Sequence, residues 1–326
     1  MWFIYALAAT VAWGTADLFY KKGADEADKY SHLKTSIMVG LVMGIHAVIL
    51  LITADFHYDF MNLLIYLPVS LMYILSMTIG YFGLRYLELS ISSPIQNTSG
   101  ALVCIMCLVF LGQTIDWISA FAVAVICIGV FLLGWLEHKR EKLYEAENNK
   151  KYKIGFVAFC MPLLYCLFDS LGTFFDAYYL DDFINTPLRN VTESNFEDVA
   201  NISYELTFLF VAVVLFIYVR FIKKQKFGIL AQKERVGAAL FETAGQFAYV
   251  YAMSGNGVVA APMIASYSII SVILSRIFLK EKLTKAQYAV VILVMFGIAL
   301  LGVVEGLGEA EQLPSWLESV VSFAGI

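Results

Sequence analysis

Charge is scarce in this chain, at 15% Asp, Glu, Lys and Arg among 326 residues, and no basic residue falls near the middle of any long apolar run. With 60% hydrophobic residues there is too little polar surface to clothe a soluble domain of this size. Catalytic signatures are missing as well. There is no HExxH, no GxSxG and no GxxxxGK phosphate loop, so no catalytic residue is assigned. All five cysteines (Cys104, Cys107, Cys127, Cys160, Cys166) sit inside apolar runs, and Cys104-x-x-Cys107 reads as helix packing rather than a metal or redox pair. Neither metal nor cofactor is expected, and nothing points to a nucleic-acid partner. Met1 to Tyr20 lacks a basic lead and carries Lys21 and Lys22 after its apolar run, the wrong order for a cleaved signal peptide.

What the chain does have is long apolar runs of the length a helix needs to cross a bilayer core, about 17 to 25 residues. Ten are read, near 2–20, 33–53, 62–86, 92–111, 116–136, 154–180, 200–222, 236–253, 258–279 and 285–304. An open sheet cannot span lipid, and a barrel would show short alternating strands, so the expected class is an all-α polytopic membrane protein with ten transmembrane helices. Of the 22 Lys and Arg residues, 21 follow odd-numbered segments and only Arg189 lies on the other side. Cytoplasmic loops retain basic residues. The basic loops are therefore expected in the cytoplasm, with both termini outside and the chain in the cell membrane.

An offset of 168 residues superposes Pro94 on Pro262, Gln113 on Glu281, Gly129 on Gly297 and Gly134 on Gly302 without a gap. Five segments per repeat is an odd number, so the second copy crosses in the opposite sense. The turn Gly112-Gln113-Thr114-Ile115-Asp116 has no basic residue, whereas Lys280-Glu281-Lys282-Leu283-Thr284-Lys285 has three. Two inverted repeats mark secondary transporters that open a central site to one face and then the other. The expected layout is a first repeat at 1–136, a basic cytoplasmic linker at 137–153, a second repeat at 154–304 with an acidic external loop at 181–199, and an external tail at 305–326. In that tail Trp316, Leu317, Val320 and Val321 fall at helical spacing, as in a helix lying on the membrane surface.

Trp13-Gly14 with Lys21-Lys22 closing the first segment, the stretch from Tyr81 to Pro94, and Val258 to Gly302 with Pro262, Lys280-Glu281-Lys282-Leu283 and Gly297 to Gly302 resemble the drug/metabolite transporter superfamily, of the EamA type. Gln113 departs from it, standing where that family usually has an acid. The resemblance covers nearly the whole chain. It implies that segments 1 to 4 and 6 to 9 surround a central cavity while segments 5 and 10 lie at the periphery.

Ionisable groups inside a membrane cost several kcal/mol unless paired or wetted, so they are the natural site candidates. Glu242 lies roughly 11 Å into its segment at 1.5 Å per residue, with Gln246 and Tyr249 at i+4 and i+7 on the same stripe. Asp17 and Asp169 occupy similar places in the two repeats. Lys21 stands at i+4 from Asp17, so a local ion pair competes with a site or gate role there, and Asp176 reads as solvated at the outer rim. His46, in mid-segment, is read either as a neutral packed group or as a proton-coupling one, beside Glu242 and Asp169. Aromatic residues Trp13, Tyr73, Tyr81, Tyr165, Tyr249 and Tyr267, together with these acids and no mid-membrane base, suit a ring-lined pocket for an organic cation.

Pro94 and Pro262 are read as opening their helices. Polar residues follow the first of them, Gln96, Asn97, Thr98 and Ser99, with Asn97 taken as a site residue. Gly40-x-x-x-Gly44 permits a close helix contact, and Gly129 to Gly134 with Gly297 to Gly302 would do so at a homodimer face through segments 5 and 10. The expected function is secondary active transport of a small organic solute by alternating access, with proton coupling or exchange. Amines, quaternary ammonium compounds or amino acids are the best match, because solutes carrying only phosphate or carboxylate want a basic partner. Besides the solute, the partners expected are membrane lipids. The competing reading is a membrane-embedded lipid-handling protein or enzyme.

Overall fold

Backbone groups inside lipid have no water to bond, so long apolar runs must satisfy their own N–H and C=O groups as helices. The computed structural model describes residues 2–25, 27–85, 89–147, 156–181, 184–280 and 283–311. Among them the secondary structure is helical throughout: α1 (Trp2–Gly23), α2 (Ser31–Thr53), α3 (Asn62–Ile65), α4 (Leu67–Gly83), α5 (Leu89–Gln96), α6 (Ser99–Phe110), α7 (Trp117–Glu147), α8 (Phe156–Leu180), α9 (Phe196–Ile217), α10 (Lys233–Ala265), α11 (Tyr267–Leu274) and α12 (Lys285–Glu311). Among the described residues six stretches are long and apolar enough to cross a membrane: Trp2–Gly23, Ser31–Thr53, Trp117–Leu136, Phe196–Ile222, Lys233–Leu279 and Lys285–Val304. The 47-residue stretch among them is not one rod, because Asn256 (φ −168°, ψ 74°) breaks α10.

Polarity is arranged inside out relative to a soluble protein. Phe110 (71% exposed), Trp117 (79%), Phe210 (70%) and Ile292 (69%) face outward, whereas Gln246, Glu205 and Asp176 are fully buried. Such a surface needs lipid. This is an integral membrane protein.

Several boundaries differ from those expected. The third segment is split by Tyr66 between α3 and α4, with a proline in the first turn of α4. The start of the expected basic linker is helical, since α7 runs on to Glu147, and α9 opens at Phe196, taking Glu197 and Asp198 out of the acidic loop into its first turn. The surface helix expected around Trp316 lies outside the described residues.

Helices pair across the two halves of the chain: α1 with α10, α2 with α9, α4 with α8 and α7 with α12. Small residues set these approaches. A methyl group on Gly40 would collide with the backbone of Phe208, and one on Gly44 would lie 2.6 Å from the Leu209 side chain, so the Gly40-x-x-x-Gly44 face of α2 is consumed by α9. Gly129 would likewise collide with Val294, and Gly297 would come within 2.8 Å of Ile126. These two glycines therefore join α7 to α12 within one chain, which corrects their expected place at a homodimer face.

Candidate functional site: a cavity lined by carboxylates and rings

Two broken helices build the centre of the molecule. Proline has no N–H and its ring crowds the carbonyl four residues back, so a helix that contains one is prone to break. Pro94 lies near the end of α5, which stops at Gln96, and α6 begins at Ser99 after a turn; Pro262 lies inside α10, which stops at Ala265, and α11 begins at Tyr267. Both prolines thus sit inside helices, contrary to the expectation that they open them. The breaks, at Thr98 and Ser266, lie four residues past each proline and 168 residues apart. They meet at Gly100, where an added methyl group would stand 2.5 Å from Ala265 Cβ and 2.9 Å from Pro262 Cα.

A narrow cavity of about 60 Å³ lies beside this crossing. All eleven residues singled out as its lining surround it: Trp13 and Asp17 from α1, Tyr73 and Tyr81 from α4, Asn97 from the first break, Tyr165 and Asp169 from α8, Glu242, Gln246 and Tyr249 from α10, and Tyr267 from α11. Tyr20, Gln96, Ser99, Thr173 and Tyr204 add to the polar wall, and among the described lining residues none is Lys or Arg. Tyr20 and Tyr204 were missed in sequence, although Tyr20 lies on the Trp13 face at i+7.

Hydroxyl groups, not cations, hold the acids. Ser93 and Ser271 donate to Asp17 at 2.6 and 2.7 Å, Ser99 donates to Asp169 at 2.7 Å, and Tyr20 donates to Glu242 at 2.9 Å. Local pairing of Asp17 with Lys21 is replaced by these partners from α5 and α11, while Lys21 Nζ donates to the Leu84 carbonyl at 2.9 Å. Trp13 stacks obliquely on Tyr249, 5.1 Å between ring centres, and stands edge-on to Tyr267 at 5.9 Å. Gly245 makes this possible, since any side chain there would strike the Trp13 indole. Tyr73 bridges the hydroxyls of Tyr249 and Thr173 at 2.8 and 2.7 Å.

Two polar groups lie elsewhere than expected. Asp176, read as solvated, is fully buried and accepts a hydrogen bond from Tyr66, toward the α3 end of α4. His46 does not reach the cavity lining. Its Nδ1 lies 2.8 Å from both carboxylate oxygens of Glu205 on α9, an acid overlooked in the sequence, and its ring stands edge-on to Phe247. The lone mid-segment histidine was itself the signal that an acid should be sought across the interface. His46→Ala would leave the fully buried Glu205 unpartnered, an expected loss of about 2 kcal/mol. Thermal unfolding in detergent should show this drop, and His46→Leu with Glu205→Leu should recover most of it.

Comparison with known proteins places this architecture. A solved crystal structure superposes with a TM-score of 0.62 over 92% of this chain and 96% of its own, at 9% sequence identity, which establishes a shared fold alone. No curated protein matches the sequence. The family model for the EamA-like transporter family matches residues 1–135 and 202–303, most of the chain and nearly all of α1 to α7 and α9 to α12. The chain belongs to the EamA-like transporter family, within the drug/metabolite transporter superfamily.

Proposed function

We propose that this protein is a secondary active transporter that carries a small organic cation, an amine or quaternary ammonium compound or the ammonium group of an amino acid, through the central cavity by alternating access. One observation carries the reading: three carboxylates, Asp17, Asp169 and Glu242, line a cavity of aromatic rings with no basic residue among its described lining. Such charge is costly in lipid until a cation or a proton arrives, and ring faces add cation–π attraction. Asp17, Asp169 and Glu242 line the same cavity, so their charges add up to one electronegative patch.

In this reading ten crossings form two inverted repeats, the layout of carriers that work by alternating access. In that frame α1 against α10 and α4 against α8 are equivalent contacts exchanged by the repeat, while α2 against α9 and α7 against α12 are self-equivalent. The two breaks four residues after Pro94 and Pro262 are equivalent as well, and broken helices meeting near mid-membrane are where transporters place their sites. Coupling follows by competition, because a carboxylate that holds a cation cannot hold a proton. Glu242 and Asp169 take this role in the cavity, and His46, with Glu205, is the coupling candidate outside it.

Competition is tested with phenyltrimethylammonium, whose charge does not titrate. Its affinity should fall as pH falls from about 9 to about 5, by up to about tenfold per unit where one proton is exchanged. A flat profile would contradict it. Orientation is tested separately: reporters in the 137–153 loop and after Ile326 should report cytoplasm and exterior, respectively, and a cytoplasmic C-terminus would overturn the charge argument.

A further inference from the structure

We propose that the solute carries, beside its positive charge, an uncharged hydrogen-bond acceptor such as a carboxamide or ester carbonyl, read by the side-chain amides of Gln246 and Gln96. This rests on the cavity being an organic-cation site. Both glutamines line the cavity, and both are shut away, at 0% and 5% exposure. Neither Nε2 has a hydrogen-bond partner, and Gln246 has none at Oε1. An amide left so costs about 1–3 kcal/mol, and folded proteins leave few such groups without a reason. For Gln246 the conclusion does not depend on which way the amide is turned, since both of its polar atoms are unmatched.

The three acids are already held by hydroxyl groups, while the Tyr81 hydroxyl, also in the lining, is without a partner like the glutamines. Asp17 is held by Ser93 and Ser271, Asp169 by Ser99, and Glu242 by Tyr20. What the two glutamines offer in excess is N–H. A simple amine is a donor only, so it bonds the carboxylates and leaves both Nε2 groups unmet. A carboxylate would meet them, but would bring a fourth negative charge among three acids with no Lys or Arg among the described lining residues. An uncharged carbonyl meets the N–H groups without that repulsion. Gln246 sits at i+4 from Glu242 on α10, so its Oε1 takes an N–H from the ammonium end while its Nε2 serves the carbonyl.

Three probes of matched ring and chain decide it: phenethylamine, phenylalaninamide and phenylalanine, titrated calorimetrically into the purified protein in detergent. Phenylalaninamide should bind at least about tenfold more tightly than phenethylamine, the lower part of what one buried hydrogen-bond mismatch is worth. In Gln246→Leu that preference should shrink to within about threefold of unity, and in Gln246→Asn it should fall to an intermediate value. Equal binding of phenethylamine and phenylalaninamide to the wild-type protein would overturn this inference and leave the cation site standing. Tightest binding by phenylalanine would overturn it in favour of a zwitterion site. If none of the three binds while a neutral solute does, the cation reading falls with it.

Discussion

Glu242→Gln is expected to slow amine counterflow in proteoliposomes by at least about 100-fold while leaving the protein folded. The substitution keeps the shape and still accepts from Tyr20, whose hydroxyl lies 2.9 Å from the carboxylate. What is lost is the charge. Breaking one partner of a buried charge pair costs about 3–5 kcal/mol, and each 1.4 kcal/mol is a factor of ten, so 100-fold is the lower end of the expectation. Glu242 should matter more than either aspartate, because it adjoins both Trp13, whose Nε1 donates to the Glu242 carbonyl at 3.3 Å, and the polar stripe of Gln246 and Tyr249. Asp169→Asn, with Ser99 still donating, should cost less. Wild-type rates in Glu242→Gln would remove the main support for a carboxylate site.

Gly100→Leu is expected to destabilise the protein by about 3 kcal/mol, at the upper end of overpacking costs. The added side chain meets Ala265 Cβ and Pro262 Cα, neither of which can swing aside as a long side chain does. It also fills the cavity wall, so solute binding should be lost with stability. Gly228→Ala is the matched control. Gly228 has extended angles (φ −107°, ψ 128°) and no atom within 4 Å of an added methyl group, so its unfolding midpoint in detergent should stay at the wild-type value. A Gly100→Leu protein as stable as wild type would mean that the two broken helices do not cross there.

The apolar segments and the acids were readable because a bilayer imposes long uncharged runs and makes each intramembrane charge conspicuous. Glu242, Asp17 and Asp169 stood out for that reason, and they fall around one cavity with the aromatic residues named beside them. Breaks in helices were not readable. A proline at the first turn of a helix and one near its end look alike in local sequence, so Pro94 and Pro262 were taken for openers. Partners far along the chain were also hidden: Asp17 is held by Ser93 and Ser271, the second 254 residues away, whereas the sequence offered only Lys21 nearby. Glu205 escaped because α9 begins at Phe196, four residues before the apolar run was drawn, which sinks an apparent rim acid deep enough to meet His46. The glycines of α7 and α12 were seen as close-contact residues, but composition does not say whether the contact lies within one chain or between two.

The measurement that bears most directly on the account is counterflow in proteoliposomes holding the wild-type protein, loaded in turn with unlabelled phenylalaninamide, phenylalanine, glucose and a sugar phosphate, with the labelled form of each outside. The account predicts a transient overshoot of labelled phenylalaninamide, absent from protein-free liposomes and lost in Glu242→Gln. An overshoot for the sugar or sugar phosphate with none for the amide would contradict the carboxylate site. The absence of an overshoot for every solute, together with protein-dependent movement of lipid between leaflets, would replace the carrier with a lipid-handling protein.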